Sequence, residues 1–152
     1  MDEFEVVEYI KSLFKKEGWQ ITSYVSQDYE ADIVAMKADH MFIVEAKGET
    51  KGGHSHLIKV AIGQIVALMN KGELETHYGI ALPGNVAVFL SKFGLEGLRA
   101  LNLHLFYVED VGNFWPKGTI WHLDPENLLE FVRQLREQGV ASPLTLSSPL
   151  PV

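Results

Sequence analysis

Asp32, Glu45 and Lys47 are the residues of this chain whose types and spacing could do chemistry. Asp32 opens the apolar segment Ala31-Asp32-Ile33-Val34-Ala35-Met36, and Glu45 and Lys47 close the next, Met41-Phe42-Ile43-Val44-Glu45-Ala46-Lys47. Both segments are rich in Val, Ile and Phe and lack Gly and Pro, so both read as strands. Charged side chains inside a fold are paired or bind a metal, because an isolated buried charge is too costly. Two carboxylates and an ammonium at adjacent strand ends therefore need either a partner or a cation.

The connection between the strands decides whether the three can meet. A two-residue hairpin turn at Asp39-His40 sets Asp32 opposite Lys47 and Val34 opposite Glu45. Opposed partners share a face and side chains alternate along each strand, so all three then converge at one end of the hairpin. The loop must be even in length, since a slip of one residue would turn Asp32 to the other side.

The rest of the chain must carry this hairpin. Its 152 residues, 47% hydrophobic and 22% charged, suit one domain with its own core. There is no Cys, which excludes thiolate chemistry, disulfides and thiolate zinc sites. The acidic start Met1-Asp2-Glu3-Phe4-Glu5 and the lack of a long apolar run lead us to expect a soluble cytoplasmic protein with no membrane association. A net charge of −7 argues against strong DNA binding by this chain alone, although a carboxylate cluster that binds metal would contribute to that charge.

Helical spacing of Phe4, Val7, Ile10, Leu13 and Phe14 predicts a first helix over 2–17, ended by Gly18. A strand over 19–25 and the hairpin follow, then a polar loop, 48–55. A helix is expected over 57–71, a strand over 77–82, a helix over roughly 86–100, and strands over 103–108 and 119–123. Asp124-Pro125 is a strong start signal for a last helix through Gln138, and Gly139 ends it. Both faces of the hairpin are apolar, so the sheet must be covered on both sides. The expected fold class is α/β, an α/β/α sandwich around a central mixed sheet. Residues 1–140 form that domain, and 141–152 form a Pro/Ser-rich tail expected to be extended or disordered and to add little to the core, although its Leu144, Leu146 and Leu150 could dock on a surface.

The order of these elements, with Asp32, then Glu45-Ala46-Lys47, then Gly63-Gln64 on the following helix, resembles the PD-(D/E)XK nuclease superfamily, whose fold is restriction-endonuclease-like. Ala31 stands where the superfamily motif has Pro, and the slot of its first-helix glutamate falls near Val7, flanked by Glu5 and Glu8, with Glu8 the candidate. Within the superfamily, Gly18-Trp19-Gln20-Ile21-Thr22, Val44-Glu45-Ala46-Lys47 and Ala61-Ile62-Gly63-Gln64 look similar to the XisH-type excision-controlling factors, small proteins linked to removal of a DNA element.

The resemblance implies a metal-dependent DNA endonuclease. Asp32, Glu45, the Ala46 carbonyl and Glu8 would hold Mg2+ or Mn2+, hard cations that prefer oxygen ligands. Asp32, Glu45, Lys47 and Gln64 would be the catalytic set, with Lys47 orienting water or stabilising the phosphate. That enzyme would act as a homodimer or with a DNA-binding partner, and the rival is a non-catalytic regulatory or interaction subunit of the same fold in DNA rearrangement. The residues themselves leave a plain alternative open, a buried Asp–Lys or Glu–Lys ion pair that fixes strand register. His54 and His56 flank Ser55 in the glycine-rich loop and lack a third ligand, so a loop is expected there before a zinc site. Lys37, Lys51 and Lys59 could meet phosphate or simply be solvated. Phe114-Trp115-Pro116 and Trp121 could stack on bases or belong to the core.

Overall fold

The structure, a computed structural model, describes residues 1–22, 30–69, 74–110 and 118–152. Its elements in chain order are α1 (Glu3–Lys16), β1 (Gln20–Thr22), β2 (Ile33–Lys37), β3 (His40–Ala46), α2 (His54–Leu68), β4 (Glu75–Pro83), α3 (Gly84–Ala87), a 3-10 stretch Val88–Lys92, α4 (Leu95–Leu101), β5 (Leu103–Asp110), β6 (Gly118–Leu123) and α5 (Pro125–Gln138). The six strands form one sheet in sequence order. β3, β4 and β5 run parallel to one another, and every other neighbouring pair is antiparallel. The two parallel connections need crossovers, which α2 and the α3–α4 segment supply.

Strand parity divides the core into two layers. Ile33, Ala35, Phe42, Val44, Ala81, Phe106 and Val108 face α1, where they pack on Val6, Ile10, Phe14 and Trp19. Val34, Ile43, Ile80, Leu82, Leu105 and Leu123 face the other way, onto α2 through α5. This is the α/β/α sandwich with a mixed sheet that the apolar faces of the hairpin require. Among the described residues no helix is long and apolar enough to cross a membrane.

Caps set the helix limits. Asp2 accepts from the Glu5 N–H at 2.8 Å while Glu5 reaches back to the Asp2 N–H at 3.1 Å, a reciprocal capping box. Asp124 caps α5 through the Asn127 N–H at 2.8 Å, Pro125 takes the first helical position, and Gly139 ends the helix at φ +78°. The helix expected over 86–100 is instead broken into α3, the 3-10 stretch and α4, with Gly94 before α4 and Asn102, at φ +51°, after it. α2 begins earlier than expected, so His54 and His56 lie in its first turn and not in a loop.

The tail also departs from expectation. Ala141 and Leu146 pack on the core beneath α2–α5, and Leu150 packs on the core beneath α1. The chain thus straps around the β6 edge of the sheet. Ser148 fastens it, its N–H donating to the His122 carbonyl at 2.7 Å and its carbonyl meeting the His122 ring at 2.9 Å. Leu146 and Leu150 outweigh the Pro/Ser composition because the adjacent sheet edge offers them burial, while Leu144 stays exposed.

Candidate functional site

The hairpin turn sits at Ala38-Asp39, one residue earlier than expected, and Ala38 carries the positive φ of +51°. The register is therefore Lys37 opposite His40 and Ile33 opposite Val44. This is two residues away, in paired position, from the predicted register. An even shift keeps every side chain on its face, so the central expectation survives in altered form: Asp32 comes beside Glu45 instead of Lys47.

Glu45 lies on the α2 side of the sheet next to Ile80, with only 2% of its surface exposed. The Ala46 N–H donates to Asp32 Oδ2 at 2.9 Å, so the Asp32 side chain takes a ladder bond that a main-chain carbonyl would otherwise accept. The Asp32 N–H approaches Glu45 Oε1 at 3.4 Å. Burial pushes the Glu45 carboxyl up to about 8, and a side-chain hydrogen bond to Asp32 and repulsion from its charge push the same way. The Lys47 ammonium pulls in the opposite direction as the weakest influence. The buried Glu45 carboxyl, packed beside Asp32, thus favours its protonated form. A divalent cation would satisfy the same oxygens without that proton, and the oxygen-only donor set suits Mg2+ or Mn2+.

Lys47 follows the end of β3, and its N–H donates to the Ala81 carbonyl at 3.0 Å. Its ammonium lies 3.8 Å from Glu3 at the start of α1. Among the described residues no ion pair joins Lys47 to Asp32 or Glu45, so the register-fixing ion pair is not the arrangement found. Gly48 explains how α1 comes so close. A Cβ there would stand 2.2 Å from the Glu3 nitrogen and 2.5 Å from the Asp2 carbonyl carbon. The bare backbone lets the first turn of α1 lie on the strand end, fastened by the Glu49 N–H to the Met1 carbonyl at 2.9 Å and by the Met1 amino group to Glu49 at 3.2 Å.

Glu8 is not brought to this rim. Its side chain is exposed and 4.0 Å from Lys11 on the same helix. Glu3, one and a half turns earlier, is the α1 glutamate that reaches Lys47. The capping box at Asp2 and Glu5 is the sequence signal for where the helix begins. Gln64 occupies the shoulder of α2, and its Oε1 is buried with no hydrogen-bond partner among the described residues. A cleft of about 240 Å³ opens at the carboxyl ends of β4 and β5, lined by Met1, Glu49, Pro83, Gly84, Tyr107 and Glu109 among others. Glu49 is two residues past Lys47, but Asp32, Glu45, Lys47 and Gln64 do not line the cleft, which lies at the strand ends where open α/β sheets bind ligands.

The other candidates separate. Lys37 donates to the carbonyls of Glu17 at 2.8 Å and Val152 at 3.2 Å. Lys51 and Lys59 are exposed. His54 meets the Thr50 carbonyl at 3.1 Å and stands edge-on to Phe89. Trp121 packs against Tyr107 at a centroid distance of 6.0 Å. Phe114-Trp115-Pro116 lies outside the described residues.

Sequence reasoning passed over a row of histidines. His40, His77, His104 and His122 stand on four neighbouring strands, all with the parity that faces α1. His40 and His77 approach at 3.0 Å, His104 and His122 at 2.8 Å, and Phe42 packs against the rings of the last three. Burial first, then the neighbouring imidazoles, push His104 down to about 3, and burial also lowers His122. Strand parity was the signal that could have grouped them.

No family model and no curated protein matches the chain. Two solved structures do share its architecture. An fdxN element excision controlling factor protein from Anabaena variabilis superposes with a TM-score of 0.55 at 21% identity, over 69% of this chain and 90% of that one. An XisH family protein from Nostoc punctiforme PCC 73102 superposes with a TM-score of 0.51 at 19% identity, over 69% and 91%. At such identities the likeness establishes the fold: this chain is an α/β sandwich of the architecture seen in those two proteins.

Proposed function

We propose that this chain is a DNA-excision factor built as a PD-(D/E)XK nuclease, hydrolysing phosphodiester bonds with a divalent metal held at the Asp32–Glu45 rim. The observation that carries this reading is the burial of the Glu45 carboxyl beside that of Asp32 at a strand end. The names of the two similar structures, an excision controlling factor and an XisH family protein, support the choice of DNA as the target.

Asp32, Glu45 and the Ala46 carbonyl would hold Mg2+ or Mn2+. Once bound, the ion supplies a water of lowered pKa and offsets charge on the reacting phosphate. Lys47 is the cation of the chain placed to bind a phosphate oxygen, and to do so it exchanges Glu3 for the phosphate. Gln64 brings an unsatisfied amide oxygen on α2 that can accept from a water or from Lys47. Other carboxylates at this end, Asp2, Glu3, Glu5, Glu49 and Glu109 among them, repel a polyanion, so binding to DNA is weak alone and depends on a second copy or a DNA-binding partner.

A second reading is favoured by one contact. Lys47 is already neutralised by Glu3, as suits a non-catalytic subunit of the same fold. Incubation of the protein with plasmid and branched DNA in Mg2+ and Mn2+ separates the two. Cleavage lost in Asp32→Asn and Lys47→Ala and raised in Glu3→Gln supports the nuclease. Metal binding without cleavage in every DNA form supports the subunit.

A further inference from the structure

At the opposite end of the sheet, His40, Glu75 and His77 bring three ligand atoms within 4.8 Å of one another. We propose that these residues form a second metal site, selective for a borderline cation of the Zn2+ class.

The strands build the site. His40 opens β3 and pairs in register with Glu75, which opens the parallel β4. His77 follows Glu75 by two residues and so shares its face. A main-chain bond from the Glu75 N–H to the Asp39 carbonyl, 3.1 Å, fixes the start of β4 to the hairpin turn. The imidazole of His77 is held between Phe42, at a centroid distance of 5.5 Å, and the edge of His104, at 5.5 Å. Backbone register and packing thus preset two ligands, and the exposed Glu75 carboxylate is the one free to adjust.

The distances suit a metal. Two ligands bound to one Zn2+ at about 2.0–2.1 Å stand roughly 2.8–3.4 Å apart, for angles from square to tetrahedral. His40 Nδ1 is 3.0 Å from His77 Nε2, inside that range, and 3.6 Å from Glu75 Oε2, just outside it, so the Glu75 carboxylate must close on the ion. The two ring planes lie within 6° of parallel and the facing nitrogens share a hydrogen bond, and a metal takes that proton's place once each ring turns by roughly 40° to aim its lone pair at the ion. Two imidazoles and one carboxylate select Zn2+, Co2+ or Ni2+ over Mg2+ or Ca2+, which prefer all-oxygen sets. Three protein ligands leave a fourth position for water on the Glu75 side.

This centre is separate from the carboxylate rim. Five residues of β3 part His40 from Glu45, about 16 Å along the strand. The two also project from opposite faces of the sheet. The donor chemistry differs as well, nitrogen-rich here and oxygen-only there.

Isothermal titration with Zn2+ tests the site, in the wild type and in Glu45→Gln so that the rim cannot contribute. One Zn2+ per chain is expected in both, with a rise in Tm. His40→Gln and Glu75→Gln should each weaken binding by at least about tenfold, the scale of losing a metal-site partner. Glu75 is exposed, so its variant keeps the fold. His54→Gln should bind as the wild type does. Unchanged affinity in His40→Gln and Glu75→Gln, loss in His54→Gln, or no Zn2+ binding at all would each overturn the proposal. None of these outcomes bears on cleavage at Asp32 and Glu45.

Discussion

The Asp32–Glu45 pair makes metal-free stability depend on pH in a way that Glu45→Gln should remove. The Glu45 carboxyl rises from 4.5 to about 8 in the fold. A raised carboxyl contributes stability that is fully present below 4.5 and lost as pH rises through about 8. At about 1.36 kcal/mol per pH unit this is on the order of 5 kcal/mol across the window. His104 opposes it on the acid side. Its pKa falls from 6.5 to about 3, so its contribution is present above 6.5 and is lost as pH falls through about 3. Between 4.5 and 6.5 the two slopes oppose each other, and the lowered His77 and His122 add to the side of His104. Above 6.5 Glu45 acts alone, and the wild type should lose about 2 kcal/mol by pH 8. Gln keeps the shape and cannot ionise, so the variant should stay flat there and exceed the wild type at alkaline pH. Urea unfolding with chelator present, from about pH 5 to about pH 8.5, reads both curves. Saturating Mn2+ should flatten the wild-type alkaline limb, because the cation replaces the proton. Parallel curves for wild type and Glu45→Gln would refute the reasoning. So would a loss of roughly 3–5 kcal/mol in the variant at neutral pH, the mark of a broken buried ion pair.

Three further outcomes follow from the packing. Gly48→Ala should destabilise by roughly 1–3 kcal/mol by overpacking against the start of α1, whereas Gly52→Ala, with open space around it, should not, and thermal melts compare the two. Truncation after Ala141 should lower stability by roughly 2–4 kcal/mol, because Leu146, Leu150 and the Ser148 pairing are lost; an unchanged calorimetric Tm would contradict the strap. Asp124→Ala should cost about 1 kcal/mol in urea unfolding through loss of the α5 cap.

Strand parity and caps carried most of what the sequence could tell. The two apolar faces of the hairpin foretold a sheet covered on both sides, and Asp124-Pro125 with Gly139 bounded α5 to the residue. Asp32 and Glu45 were legible as a pair because any even loop puts them on one face. The register itself was not, since the positive φ falls on Ala38, a residue type that gives no turn signal. Glu3 was hidden because its approach to Lys47 depends on Gly48 admitting the helix, a tertiary contact. The histidine row needs four strands aligned before it exists, and no local window contains two of its members. The tail misled because composition reports solubility and not the presence of a sheet edge to dock on.

The most direct test of the central claim is Mn2+ binding at pH near neutrality, followed by electron paramagnetic resonance in the wild type, Asp32→Asn and Glu45→Gln. One tightly bound Mn2+ per chain is expected in the wild type, lost in Glu45→Gln and weakened in Asp32→Asn, with His40→Gln unchanged. Equal Mn2+ binding in the wild type and both rim variants, or none in any of them, would contradict a metal site between Asp32 and Glu45.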